Sequence, residues 1–306
     1  MLTGAVKRLV YVLMLTAAAG STCLANGRAV KTPAPLREAT ARMEIDRSGA
    51  AAPFGEALRN ILARRGLGTG PACVGDAVEG RILREYGAVF VASEQVTTPP
   101  VCMFTSAEQV ASFQHPSRVA AAVLGGATVE LQPAALRALL AAREEALQAG
   151  LDITPRDGSE AGRRVYADTL RLWNSRLLPA LDYWQERGRL TRADADRLRS
   201  LPVREQVGAV LEFEQRGIYF ARGFTKSILH SVAAPGTSQH LSLLAFDANE
   251  YDDEQVRRIL ARHGWFRTVR NDLPHFTYLG RPERDLPAHG LARFVNRDGE
   301  FWVPNF

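Results

Sequence analysis

The chain has 306 residues and a formal charge of +5, long enough for one large domain or two small ones. Its Lys and Arg are interspersed with Asp and Glu, which excludes the basic stripe of a nucleic-acid binder. Beyond residue 20 no apolar run approaches the roughly 18 residues that a membrane helix needs, which excludes a transmembrane segment in the mature chain.

Lys7 and Arg8 precede an apolar stretch from Leu9 to Gly20, the length of a signal-peptide core and too short for a bilayer. Residues 1–25 therefore read as an export signal cleaved after Ala25, giving a periplasmic or extracellular protein. Gly20-Ser21-Thr22-Cys23 matches a lipoprotein signal poorly, so a lipid anchor at Cys23 is the minor alternative. Cleavage removes Lys7 and Arg8 and takes the charge to +3. It leaves Cys73 and Cys102, an even number in a compartment where disulfides persist. The two are expected to pair, with two buried free thiols as the alternative.

Residues 26–53, rich in Ala, Pro, Arg and Thr, form a leader without periodicity. From Phe54, the residues Ala57, Leu58, Ile61 and Leu62 mark an amphipathic helix ending at Gly66, and Ala88-Val89-Phe90-Val91-Ala92 reads as a buried strand. The spacing predicts a helix over 133–149, with Pro133 in its first turn, Leu136, Leu139, Leu140 and Leu147 on one face, and Gly150 past its end. Leu151-Asp152-Ile153 follows as a strand.

A second helical stretch covers 162–187, with Tyr166, Leu170, Trp173, Leu177 and Leu181 spaced by three or four. A short helix opens within 190–194. Asp252 and Asp253 cap a helix carrying Val256, Ile259 and Leu260, closed by His263 and Gly264. Strand-like segments at 241–248 and 275–279 flank it, and Phe301 to Phe306 is apolar enough to dock as a last strand. Helices and strands follow each other without regular alternation, which favours an α+β fold with an antiparallel sheet. Residues 54–130 form an N-terminal extension packed on a domain spanning 131–306.

The chemistry concentrates in Pro235-Gly236-Thr237-Ser238-Gln239-His240-Leu241-Ser242-Leu243-Leu244-Ala245-Phe246-Asp247 and, further on, Asp272-Leu273-Pro274-His275-Phe276. Two histidines and a carboxylate, His240, Asp247 and His275, are a sufficient protein set for catalytic zinc, with a fourth position for water. Asp272 is the candidate carboxylate to take a proton from that water. On a straight strand, seven residues extend about 23 Å and put His240 and Asp247 on opposite faces. The segment must therefore bend, with His240 on the turn after Pro235-Gly236 and Asp247 on the strand. A hydrogen-bonded structural role is the bland reading of each histidine; it applies most to His230, while His115 and His289 sit in loops without a nameable partner.

The block resembles the motif of the zinc D,D-peptidases, the D-alanyl-D-alanine carboxypeptidase group that shares its fold with the hedgehog signalling domain: Ser-x-His, three residues, Gly-x-Ala-x-Asp, then Glu-x-x-His. Ser238, His240, Ala245, Asp247 and His275 match in register. The resemblance implies a hedgehog/D,D-peptidase-like fold, with a central antiparallel sheet and flanking helices. It also implies Zn2+ on His240, Asp247 and His275 with Ser238 behind them, and a peptidoglycan stem peptide as substrate. Within Arg156-Asp157-Gly158-Ser159-Glu160-Ala161-Gly162-Arg163-Arg164, either Arg163 or Arg164 would hold the substrate carboxylate, a task suited to a planar guanidinium.

The resemblance covers about residues 130 to 280 and departs from the family at two positions. Leu243 stands where the family has Gly, which permits backbone angles that Leu avoids. Asp272 stands where it has the catalytic Glu. A peptidoglycan endopeptidase or L,D-carboxypeptidase is the near alternative, and a zinc-stabilised wall-binding module with little catalysis is the alternative of another class.

Overall fold

The computed structural model describes residues 51–65 and 77–306; the export signal, the leader up to residue 50 and Cys73 lie outside them. The fold is α+β, with eight α-helices and small antiparallel sheets among the described residues. No helix among the described residues is long and apolar enough to cross a membrane.

Helix α1 (Phe54–Arg64) buries Phe54, Leu58, Ile61 and Leu62, the face that its periodicity predicts. Helix α2 (Ala77–Tyr86) runs into a 3-10 turn, Gly87–Val91. That turn corrects the expected strand at 88–92: five successive apolar residues satisfy burial on all sides, and here the core encloses a tight turn rather than a ladder. Helix α3 (Ala107–Phe113) is capped by the Ser106 hydroxyl. Strands β1 (Ala120–Leu124) and β2 (Ala127–Leu131) form a hairpin.

Helix α4 (Pro133–Gln148) starts on its proline and stops before Gly150, as expected, but its buried face is different. Leu136 and Leu139 are buried with Ala135, Ala142 and Ala146, whereas Leu140 and Leu147 are exposed. Small alanines allow α8 to approach closely, so the helix packs on its alanine stripe. The expected strand at 151–153 is instead a loop leading to a single bridge, Pro155 to Ala248. Helices α5 (Tyr166–Glu186), α6 (Arg192–Ser200) and α7 (Val203–Gln215) build a second apolar core around Trp173, Leu177, Val210 and Phe220. The Trp173 indole donates to Gln206 at 2.9 Å.

The sheet that positions the site consists of β3 (Ala245–Asp247), β4 (Trp265–Phe266) and β5 (His275–Tyr278), in the order β3-β5-β4, all antiparallel. Helix α8 (Glu254–Arg262) links β3 to β4. The Asp253 carboxylate accepts the amides of Gln255 and Val256 and caps its start; Val256, Ile259 and Leu260 face inward. His263 closes it and meets Glu145 at 2.8 Å. Only residues 245–247 of the expected strand at 241–248 are extended; residues 239–242 form a 3-10 turn. The chain ends in the hairpin of β6 (Leu291–Asn296) and β7 (Gly299–Pro304), so the terminal apolar segment does form a strand.

One continuous core contains Phe54, Phe90 and Leu124 together with Phe246, Trp265 and Phe276. The segment 54–130 thus shares its apolar interior with the site-bearing sheet. Cys102 is buried; Cys73, its expected partner, lies outside the described residues.

Candidate metal centre

Three segments converge on the site. The first is the turn Gln239–Ser242, which presents His240. A bend at Leu243 follows, with φ +61° and ψ 25°, and it carries the chain into β3. This is the turn-then-strand geometry that the seven-residue spacing demands. It comes with left-handed backbone at a buried leucine, an arrangement that costs a non-glycine residue on the order of 1–2 kcal/mol.

The second segment is the β3–β5 pair. Asp247 lies directly opposite His275 in the ladder, so both side chains leave the same face of the sheet. The third is the loop 155–164. Its Arg156 amide donates to the Asp247 carbonyl at 2.8 Å, and it carries Gly162 and Arg164 to the site. At Gly162 a Cβ would stand 2.9 Å from the Glu130 carbonyl oxygen, so only glycine lets this loop lie against β2.

His240, Asp247 and His275 are all buried, and one donor atom from each lies within 4.8 Å of the other two. Asp247 Oδ1 is 3.1 Å from His275 Nδ1 and 3.3 Å from His240 Nε2. The imidazoles meet edge to face, with centroids 4.9 Å apart.

The neighbours settle where the protons are. His240 Nδ1 donates to the Gly162 carbonyl at 2.8 Å, which leaves Nε2 as a bare lone pair. Gln239 Nε2 donates to the Tyr86 carbonyl at 2.9 Å, so Gln239 Oε1 must accept. It accepts from Thr277 at 2.5 Å and from His275 Nε2 at 2.9 Å. In the neutral ring, His275 Nδ1 then turns its lone pair toward Asp247. With that ring neutral, two imidazole lone pairs and a carboxylate oxygen converge. His240 Nε2 is buried without a hydrogen-bond partner, a condition that costs about 1–3 kcal/mol when left unrelieved.

Burial holds the His240 imidazolium down to a pKa of about 4, against the pull of Asp247. Burial pushes Asp247 up, but its contacts with His240 and His275 outweigh this and hold it well below the ordinary carboxylate range. Arg164 adds an ion pair at 2.6 Å to the other carboxylate oxygen, Oδ2. A neutral His240 and an ionised Asp247 are forms in which a cation can be bound. This buried group can hold a metal ion. Tetrahedral ligation at zinc distances calls for donor separations of about 3.3 Å, close to those around Asp247 Oδ1.

No protein-family profile and no curated protein matches the chain. The reading of the site therefore rests on its own geometry.

The remaining expected residues fall as follows. Asp272 opens the turn into β5, its carbonyl accepting the His275 amide at 3.3 Å. The residue is exposed at the surface, yet desolvation by the surrounding protein, reinforced by the negative charge of Asp247, raises its carboxyl above the ordinary range. His275, Arg164 and Arg156 act on it in the opposite sense, which places it beside the cluster.

Ser238 is half-buried and accepts the Leu241 amide through its backbone carbonyl. Its neighbour Gln239 orients His275. Arg163 donates to Gln114 at 2.9 Å and pairs with Glu130 at 3.3 Å, away from the histidines, while Arg164 holds Asp247. Both guanidiniums are thus engaged with the protein. His230 pairs with Glu85 at 3.4 Å, and His115 and His289 bond within their own turns.

Sequence reasoning missed Gln239, Gly162 and Gln114. Buried Gln114 ties the Arg164 carbonyl to the Leu241 carbonyl through its Nε2, locking the loop to the turn. A signal for Gln239 existed: an amide beside His240 in an apolar run must find buried partners.

Proposed function

We propose that this chain is a zinc-dependent peptidase with a hedgehog/D,D-peptidase-like fold, acting as a D-alanyl-D-alanine carboxypeptidase on peptidoglycan stem peptides. The observation that carries the reading is the convergence of two buried imidazoles and a carboxylate, with His240 Nε2 orphaned in the interior. Two imidazoles and one carboxylate are the donor set of a catalytic zinc with a position left open.

A zinc ion bound there would supply a water of pKa near 7 and polarise the scissile carbonyl. The chain's own residues supply the rest. Gly162 and Gln239 fix the tautomers of His240 and His275, and Arg164 holds the Asp247 carboxylate in place. Asp272 is the proton acceptor, and its raised pKa brings it nearer to the working range of a general base. Arg156 is a further cation beside this group, suited to a terminal carboxylate of the substrate. Export through residues 1–25 and a Cys73–Cys102 bridge belong to the same reading, since the wall lies outside the cytoplasm.

The test has two arms. Purified mature protein should contain about one zinc per chain, lost in His240→Ala and His275→Ala; metal retained in both variants would remove the site from consideration. D-Ala release from a pentapeptide stem should be measured for wild type and Asp272→Asn. Equal inactivity of both on all wall peptides would leave a binding module rather than an enzyme.

A further inference from the structure

On the face of β5 opposite His275, Phe276 lines a second cavity, because successive side chains of a strand point to opposite faces. The cavity is a groove of about 980 Å³ between α8, β4 and the β6–β7 hairpin, large enough for a small organic ligand. Its apolar lining includes Trp265, Phe266, Phe276 and Trp302.

Its acids are already committed. Glu254 pairs with Arg258, Glu300 holds Arg293 at 2.6 Å, and Glu283 accepts the Trp302 indole N–H at 3.1 Å. Two of its cations are not so matched. Arg267 is 5 % exposed and makes a long hydrogen bond, 3.3 Å, to the Asp298 carbonyl. Its guanidinium stacks on the Phe301 ring at 4.6 Å. Arg257 donates to the carbonyls of Tyr251 and Asp252. Among the described residues neither meets a carboxylate within ion-pair distance. Burial and the positive charge of Arg257 together lower the Arg267 pKa to about 10, against the weaker pull of Glu300 and Asp298, which lie beyond ion-pair distance. The Trp265 indole N–H, in the same lining, is buried without a partner.

A buried guanidinium with no carboxylate in ion-pair contact is costly, and a neighbouring cation adds to the cost. An anionic occupant relieves both. We propose that this groove binds an organic oxyanion, a carboxylate or phosphate on an apolar or ring-bearing body. Arg267 and Arg257 hold the oxyanion, and the aromatic lining takes the body. The site is independent of the metal reading, since none of its residues is a metal ligand.

The test titrates inorganic phosphate, phenyl phosphate and benzoate into the full purified protein by calorimetry, with tryptophan fluorescence as second readout. Phenyl phosphate or benzoate should bind saturably and more tightly than inorganic phosphate, and whichever is preferred identifies phosphate or carboxylate as the recognised group. Loss of one charge-assisted contact, in Arg267→Met or Arg257→Gln, should weaken binding about tenfold or more. Should Arg267→Met fail to fold, half-buried Arg257 still decides the matter. Two results overturn the proposal: no saturable binding of any probe to wild type, or binding unchanged in folded Arg257→Gln. Binding abolished by His240→Ala but untouched by the arginine variants would place the anion elsewhere and also overturn it.

Discussion

Asp247 and His275 stand directly opposite each other across the β3–β5 ladder, with Asp247 Oδ1 3.1 Å from His275 Nδ1. Because Gln239 takes the proton on His275 Nε2, a neutral His275 turns its Nδ1 lone pair toward the carboxylate. Asp247→Asn keeps the shape and supplies an amide N–H to fill the gap internally. The variant is expected to lose stoichiometric zinc, read by elemental analysis after dialysis, while remaining folded.

Gln239 is the residue through which His275 is oriented. Gln239→Leu leaves the His275 Nε2 proton and the Tyr86 carbonyl without their partner. Loss of such a supporting bond weakens metal binding by about 10–100-fold. Competition with a coloured chelator measures this; unaltered affinity would show that Thr277 and Thr268 suffice to hold the ring.

Removing the proposed proton acceptor leaves the donors intact. Asp272→Asn should retain zinc and lower kcat for D-Ala release by about 10²–10⁴-fold. A variant that loses metal in parallel would mean that Asp272 acts on the site's structure rather than on the proton.

Acid should destabilise the metal-free protein. The folded state holds His240 at a pKa of about 4 by burial, whereas an unfolded histidine titrates near 6.5. Between these values the unfolded chain binds the extra proton, so stability falls as pH falls from about 6.5 to 4 and levels off below. This group contributes on the order of 3 kcal/mol, and Asp247, itself held low, acts in the same direction at more acidic pH. Urea midpoints measured in chelator at successive pH values should show the decline, and a flat profile would contradict it.

Leu243 offers a comparison of two truncations. Leu243→Ala loses a fully buried side chain at a cost of about 2–5 kcal/mol and keeps the left-handed backbone. Leu243→Gly loses the same packing but relieves about 1–2 kcal/mol of backbone strain. Glycine should therefore be the less destabilising of the two, by about 1 kcal/mol, in denaturant titration.

The parts of this arrangement legible in sequence were those fixed by short-range physics. The capped helix with Val256, Ile259 and Leu260, the proline-started helix at Pro133, and the bend that two ligands seven residues apart demand all follow from local periodicity or reach. The errors have a common origin. Residues 88–92 and 151–153 are apolar enough for strands, but a strand needs a partner, and pairing is decided by distant chain. The buried face of α4 was misjudged because leucine size was taken as the guide, whereas a close neighbouring helix selected alanine. The proton arrangement at the site lay furthest from sequence, since Gly162 and Gln114 reach it from the far side of the fold.

The ligands lie on a turn and on two paired strands separated by α8. An ion clasped there would act as a removable crosslink, fastening the sheet on both sides of that helix. Its departure and the loosening of the chain would be linked events. Zinc scarcity would then shorten the lifetime of the protein, with proteolysis removing the empty form before it could compete for substrate.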